Sequence, residues 1–342
     1  MSSDPFFSIC IPTFNACGYV LDCLASVVSQ TFEDWELIVC DDCSTDLTLD
    51  VVKRFVVSEP ALAGRFTLIR MDENSGPFLA RRRAFAQAQG RYVICLDSDD
   101  ELNSKASLYE IHKAICQSSC DVLLFNMTDQ KNEEHFLVDY SCLDANGVGP
   151  VSKEKVIAAF SSGYQLNNLA SKAIRRQCLG IGDCQFSKGL RMCEDRLEMV
   201  GVLGSAEKFY LYDKALYYYR PNCISTTHGF FSFEYCKQQA LVENVVSDFL
   251  DSMEKRQDLL KTLNRNSLLV ISHDMRRLAA GRTIRCLAKE MERLSSLPWF
   301  EACLSRPCLE GTRVDIRLRI KLLERDYYFL AACVCKLLDA LE

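Results

Sequence analysis

The chain has 342 residues, 49% of them hydrophobic and 25% charged. That is an ordinary globular composition, enough for one large α/β domain with a helical extension or for two domains. The net charge of −6 argues against a nucleic-acid binder. No apolar run reaches the roughly 18 residues of a membrane span; the longest, Tyr327 to Leu338, is broken by Lys336.

The charge is uneven. Residues 1–250 hold 23 Lys and Arg against 33 Asp and Glu, whereas residues 251–342 hold 17 against 13. The C-terminal part is thus the better placed to meet an anionic surface such as a lipid headgroup layer, although a solvated helical face gives the same numbers. The 19 Cys are scattered, several inside apolar runs (Cys10, Cys40, Cys95, Cys333, Cys335), as small buried hydrophobes are in a reducing compartment. Cys40 and Cys43 have no second such pair to complete a zinc site. The opening MSSDPFFSIC has no basic segment followed by an apolar one, so the expected location is cytoplasmic, with membrane contact only from the surface.

In chain order, Phe6 to Ile11 reads as a strand ended by Pro12-Thr13-Phe14-Asn15. Gly18 to Gln30 has helical spacing, with Val20, Leu24, Val27 and Val28 on one face. A second strand, Trp35 to Cys40, runs into Asp41-Asp42-Cys43-Ser44-Thr45-Asp46, where Ser44 or Asp46 can cap a helix to about Val57. Phe66 to Met71 is a third strand, and Gly76-Pro77 opens a helix that ends at Gly90. Tyr92 to Leu96 is a fourth strand, stopped by Asp97-Ser98-Asp99-Asp100. This alternation predicts a mostly parallel, doubly wound sheet. No GxGxxG follows the first strand, so a dinucleotide-binding domain is not supported.

Beyond Asp100 a helix is expected from Leu102 to Ser118 and a strand from Asp121 to Met127, with a further strand at Phe136 to Tyr140. A Gly- and Pro-containing loop follows at Asp144 to Pro150, then a helix at Lys153 to Ser161 and an element at Ala170 to Arg176. A helix starts near Glu194, and strands are expected at Phe209 to Tyr212 and Ala215 to Tyr219. From Ser232 the chain reads as helical, with breaks near Gly281, Pro298 and Pro307.

Three acidic clusters fall at element ends: Asp41/Asp42, Asp97/Asp99/Asp100 and Glu194/Asp195. Carboxylates this close repel one another, and a divalent cation is the usual compensation. In open α/β sheets ligands sit beyond the carboxyl ends of the strands, where two of these clusters fall. A carboxylate at a helix start can serve as a general base. The plain alternatives are an acidic turn in which Asp100 or Ser104 caps the next helix, and a favourable first-turn charge at Glu194/Asp195. Of Arg81, Arg82 and Arg83 at most one or two can face a site, because successive helical positions point apart.

The order of motifs resembles a family 2 glycosyltransferase of the GT-A fold. The matching pieces are Ile11 to Asn15, Ile38 to Asp46, Asn74-Ser75-Gly76, Ala80-Arg81, Gly90 to Asp100, Glu194-Asp195, and Tyr217 to Arg220 with Ser225. The resemblance covers residues 6–228 and implies a GT-A catalytic domain at 1–230; the helical region at 231–342 falls outside it. The resemblance also implies roles. Pro12, Thr13, Asn15, Asp41 and Asp42 would hold the nucleotide, with Asp97 near the ribose. Asp97 and Asp99 match the DxD motif that holds Mn²⁺ or Mg²⁺, and His228 lies where some GT-A enzymes place a further metal ligand. Asp195, beside Glu194, matches the general base, and Arg81 and Arg220 lie beside the sugar or diphosphate. The implied reaction is inverting transfer from a nucleotide-sugar, a UDP-sugar, to a saccharide or lipid-linked acceptor in surface polysaccharide assembly. The C-terminal helices would dock on the catalytic domain, form a homodimer or contact a membrane surface. A nucleotidyltransferase and a degenerate scaffold of the same fold are the alternatives. The chain departs from the family at Cys43, where Gly is usual, at Arg82-Arg83-Ala84 in place of Asn-x-Gly, and at Asn167 to Ser171, where an acceptor-loop Trp is usual.

Overall fold

The computed structural model describes residues 4–133, 135–143, 147–163, 166–180, 190–221, 232–254, 256–279, 281–305, 307–309 and 311–341. The chain divides into two compact units, residues 1–160 with 164–222, and residues 161–163 with 223–342.

The first unit is built on one sheet. Its parallel half consists of β1 (Phe7–Thr13), β2 (Trp35–Asp41), β3 (Phe66–Arg70) and β4 (Tyr92–Cys95), in the order β3-β2-β1-β4. The intervening helices are α1 (Val20–Val28), α2 (Thr48–Ser58) and α3 (Pro77–Gln87). Every residue of β1 and β4 is buried, as expected of parallel strands covered on both faces. Their apolar runs build the core with α1, which buries Val20, Cys23, Leu24 and Val27. Each such side chain withdrawn from water contributes roughly 1.5–3 kcal/mol.

Past β4 the sheet becomes mixed. It continues through β5 (Glu101–Leu102), β6 (Val122–Thr128), β7 (Val148–Val151), β8 (Lys172–Arg175) and β9 (Phe209–Tyr218), in the order β4-β8-β6-β9-β5, with β7 also on β9. β8 runs antiparallel to both β4 and β6, and β6 runs parallel to β9. The helices here are α4 (Ser107–Ser118), α5 (Lys153–Ser162) and α6 (Glu194–Ser205).

Several expectations are corrected. The helix after the acidic loop starts at Ser107 rather than Leu102, and neither Asp100 nor Ser104 is its cap residue, which is Ala106. Glu101 and Leu102 instead pair with Tyr218 and Tyr217. Phe136 to Tyr140 forms no strand. The Asn126 side chain takes the place of a neighbouring backbone there: its Nδ2 donates to Val138 O (2.8 Å) and its Oδ1 accepts from Val138 N (2.9 Å). Part of the expected loop at 144–150 is β7. The two strands expected on either side of Asp213-Lys214 are the single β9, whose register against β6 shifts around Asn126.

The second unit is helical: α7 (Phe233–Asp251), α8 (Arg256–Ala279), α9 (Ile284–Ser295), α10 (Pro298–Ser305), α11 (Val314–Glu324) and α12 (Tyr328–Leu341). It has its own core, which includes Leu268, Ile271, Met275, Leu287, Phe300 and Ile320. Among the described residues no helix is long and apolar enough to cross a membrane.

Candidate active site

At the carboxyl ends of β1 and β2, Thr13 and Asp41 are partners in the parallel register. Asp41 is fully buried, and its Oδ2 accepts from Ser44 N at 3.1 Å. Its Oδ1 and the Thr13 Oγ1 are both buried without a hydrogen-bond partner. An orphaned buried polar atom costs about 1–3 kcal/mol, so the two form a polar patch able to take a hydrogen-bonding partner. Pro12 lies opposite Cys40. Asn15 takes a left-handed backbone (φ +49°), and its Oδ1 accepts from Thr45 N at 2.9 Å, joining the β1 and β2 loops. Cys43 stands where the family has Gly and takes the left-handed conformation itself (φ +61°).

Asp42 faces the other way. Its two oxygens accept from Ser75 N (2.7 Å) and Gly76 N (2.8 Å), so it ties β2 to the turn that starts α3. Burial pushes its carboxyl above the usual range despite those two donors. Gly76 itself has φ +94°, a conformation that disfavours any side chain.

The acidic loop follows β4. Asp97 keeps 42% of its side-chain surface, yet desolvation of the carboxyl by the surrounding protein, the largest cause, raises it to about 6. Arg81 pulls the value down, while Asp195 and Asp99 push it up. Asp100 is buried and raised to about 8, chiefly by burial and by Asp97. It accepts from Tyr217 OH (2.7 Å) and Arg220 N (2.9 Å). The same Tyr217 oxygen accepts from Asp97 N at 3.2 Å. Arg220 donates to Glu101 (2.7 Å), Asp22 (2.9 Å) and the Asp99 carbonyl (3.1 Å), so it neutralises the loop from its flank.

Asp97 and Asp99 offer hard oxygen donors of the kind divalent Mn and Mg take. Among the described residues no group of three or more His, Cys, Asp or Glu is arranged to hold a metal ion. A cation held by these two side chains would complete its shell with ligand oxygens and water. His228 and Ser225 lie outside the described residues.

Arg81, on α3, joins this loop to the start of α6. It is buried, with Nη1 2.6 Å from Asp195 Oδ1 and 3.9 Å from Glu194 Oε1, and Nη2 3.6 Å from Asp97 Oδ1. Burial lowers its affinity for the proton, but Asp195, Cys95, Asp97 and Glu194 outweigh that and keep it charged. Asp195 Oδ2 accepts from Leu169 N at 3.4 Å. Glu194 is raised to about 7 by burial and by Asp195. Arg82 pairs with Glu198 at 2.5 Å, and Arg83 is exposed. One member of the arginine triplet therefore reaches the carboxylates.

Two partners of the site were not singled out for it from sequence. Tyr217 bridges Asp97 and Asp100 across the sheet, a contact no local pattern reveals. Lys172 is fully buried in β8 and lowered to about 7 by burial, against the pull of Asp195. Its ammonium donates to Asn168 O and Oδ1, the residue before Leu169. The only trace of this in the sequence is a lysine beside the apolar Ala173 and Ile174.

A parallel half-sheet with orphaned polar groups at its carboxyl edge, an Asp-x-Asp loop and a second acidic pair bridged to it by arginine are the arrangement expected of the GT-A fold. Residues 8–164 match the description Glycosyl transferase family 2. The poly(ribitol-phosphate) β-N-acetylglucosaminyltransferase TarS of Staphylococcus aureus is 31% identical over 221 residues, 62% of this chain and 35% of TarS. The chondroitin synthase of Pasteurella multocida is 36% identical over 102 residues, 30% of this chain and 10% of that one. The chain spans little more than a third of the length of the first relatives it matches. The crystal structure of S. aureus TarS 1-349 in complex with UDP shares the fold, with TM-score 0.70 at 21% identity over 98% of this chain and 92% of that one.

Proposed function

We propose that the chain is a metal-dependent, inverting glycosyltransferase that moves a sugar from a UDP-sugar to a saccharide or lipid-linked acceptor in cell-surface polysaccharide assembly. The observation that carries this reading is Arg81, which holds the acidic loop at Asp97 and the α6 acid Asp195 on one guanidinium. Donor-side and acceptor-side chemistry thereby meet. The names of the relatives support the setting: TarS transfers N-acetylglucosamine to poly(ribitol-phosphate), and its structures contain UDP or UDP-GlcNAc.

Thr13 Oγ1 and Asp41 Oδ1 receive the polar edge of the nucleotide base, with Pro12 and Asn15 shaping that wall. Asp42 contributes by fixing the turn before α3. Asp97 and Asp99 would hold Mn²⁺ or Mg²⁺, which would supply positive charge to offset that growing on the nucleoside diphosphate leaving group. Asp195 takes the proton of the acceptor hydroxyl as that oxygen attacks the anomeric carbon. Arg81 keeps Asp195 aimed through their 2.6 Å contact, with Glu194 as its neighbour in the first turn. A single displacement inverts the anomeric centre. The reaction takes place at the cytoplasmic face of a membrane.

Isothermal titration with UDP, GDP and CDP, with and without Mn²⁺, tests this reading. UDP is expected to bind in a Mn²⁺-dependent manner, and Asp99→Ala to weaken that binding at least tenfold. Folded protein that binds none of the three nucleotides would overturn the proposal in favour of a scaffold of the same fold.

A further inference from the structure

Helices α11 and α12 leave several large apolar residues on the outside. In α12 the buried positions are the small Ala331, Ala332 and Cys335, while the opposite face presents Phe329 (54% exposed), Leu330 (52%) and Leu337 (63%). A solvated surface helix has the reverse pattern, with its large apolar residues turned inward. Tyr327, 53% exposed, extends the patch from the connection between the two helices.

α11 adds charge to the apolar face. It buries Arg319, Ile320 and Leu323, and its outer side carries Val314 (72%) and Leu318 (46%). At 3.6 residues per turn, Arg317, Lys321 and Arg325 project on that same outer side, all exposed. Exposed Glu324 lies at its edge, and Asp315 is engaged by Arg313 and Arg319. Apolar and aromatic groups interleaved with cations suit the boundary between headgroups and acyl chains of an anionic bilayer. A two-fold contact with a second copy would oppose this cationic row to its own image. Neither helix can span a bilayer.

We infer that the outer face of α11 and α12 is a peripheral membrane-binding surface for anionic lipid. Phe329, Leu330 and Leu337 enter the interface, while Arg317, Lys321 and Arg325 meet lipid phosphates. The inference does not depend on the proposed reaction.

The test is co-sedimentation of the full chain with phosphatidylglycerol/phosphatidylcholine vesicles (1:1) and with pure phosphatidylcholine, at low and high salt. Binding is expected only to the anionic vesicles, and to weaken with salt. R317A/K321A/R325A should weaken it about a hundredfold, at roughly 1 kcal/mol per cation near an anionic surface. Leu337→Ser with Phe329→Ser should weaken it at least tenfold. Circular dichroism and thermal melting confirm that each variant is folded; if the double variant fails, Leu337→Ser alone is used. No binding of the wild-type chain to anionic vesicles at low salt overturns the inference, and so does binding that both variants leave unchanged. Self-association abolished by the apolar variant, without vesicle binding, assigns the face to a second copy instead.

Discussion

Burying a guanidinium among carboxylates is favourable only when the geometry is good enough to offset lost hydration. Arg81 meets Asp195 at 2.6 Å but reaches Asp97 only at 3.6 Å, and one cation cannot neutralise three acids. Desolvation first, and the unneutralised neighbouring charge after it, show in the proton affinities: Asp97 is held up at about 6 and Glu194 at about 7. The sign for stability follows. In the unfolded chain these acids lose their protons near pH 4, whereas the folded chain holds them to higher pH. Between about pH 4 and 7 the folded state binds the extra protons, so stability falls as pH rises through that window. Asp97→Asn removes the burden and is expected to raise the melting temperature of the ligand-free protein at pH 7.5, with little change at pH 3.5. The same carboxylate must be ionised to hold a cation, so Mn²⁺-dependent UDP affinity of the wild type should fall about tenfold per pH unit below about 6. A thermal-shift series and titrations at several pH values measure both. An Asp97→Asn protein no more stable at pH 7.5, or an affinity flat from pH 5 to 7, would contradict the charge balance argued from Arg81.

At the scale of elements, the site depends on how closely β1 and β4 approach. Gly90 precedes β4, and its N–H donates to Ser8 Oγ at 2.8 Å. A Cβ there would stand 2.5 Å from Ser8 N and 2.6 Å from Phe7 C. Those are backbone atoms of the central strand and cannot swing aside. Gly90→Ala is therefore expected to cost about 2–3 kcal/mol in urea unfolding, as overpacking does; a loss under about 0.5 kcal/mol would mean that the strands adjust freely. The parallel half of the sheet was readable because its strands are continuous apolar runs that stop at polar loops. Those stops placed Asp41, Asp97 and Asp99 beforehand. The mixed half was less readable for physical reasons. β5 has two residues and β7 is the sequence VGPV, too short for a period to register. β9 carries Asp213 and Lys214 mid-strand because Asn126 Nδ2 donates to Asp213 Oδ1 at 2.8 Å, a partner 87 positions away in the chain. The opposite orientations of Asp41 and Asp42, one toward an orphaned Thr13 and one toward Ser75 and Gly76, were equally hidden. Adjacent identical residues look alike until the turn beside them is known.

At the scale of the whole molecule, the two units have separate hydrophobic cores and the chain has two tryptophans, one in each core: Trp35 in the sheet unit and Trp299 in the helical unit. Trp299→Phe leaves fluorescence that reports on the first, and Trp35→Phe leaves fluorescence that reports on the second. The Trp35 Nε1 is buried without a hydrogen-bond partner, so phenylalanine there removes an unsatisfied donor along with some volume. The polar patch at Thr13 and Asp41, the acidic loop and Asp195 all belong to the first unit. A ligand that binds only the folded form of that unit stabilises it by mass action, about 2.7 kcal/mol at a hundred times its dissociation constant. For a unit of this size that is roughly 5–10 °C. UDP with Mn²⁺ is therefore expected to raise the midpoint reported by Trp35 by that amount and to leave the midpoint reported by Trp299 nearly unmoved. Equal shifts at both tryptophans would mean that the units melt as one cooperative body. A shift at Trp299 alone would move the nucleotide site out of the sheet unit, and with it the roles proposed for Asp41, Asp97 and Asp99.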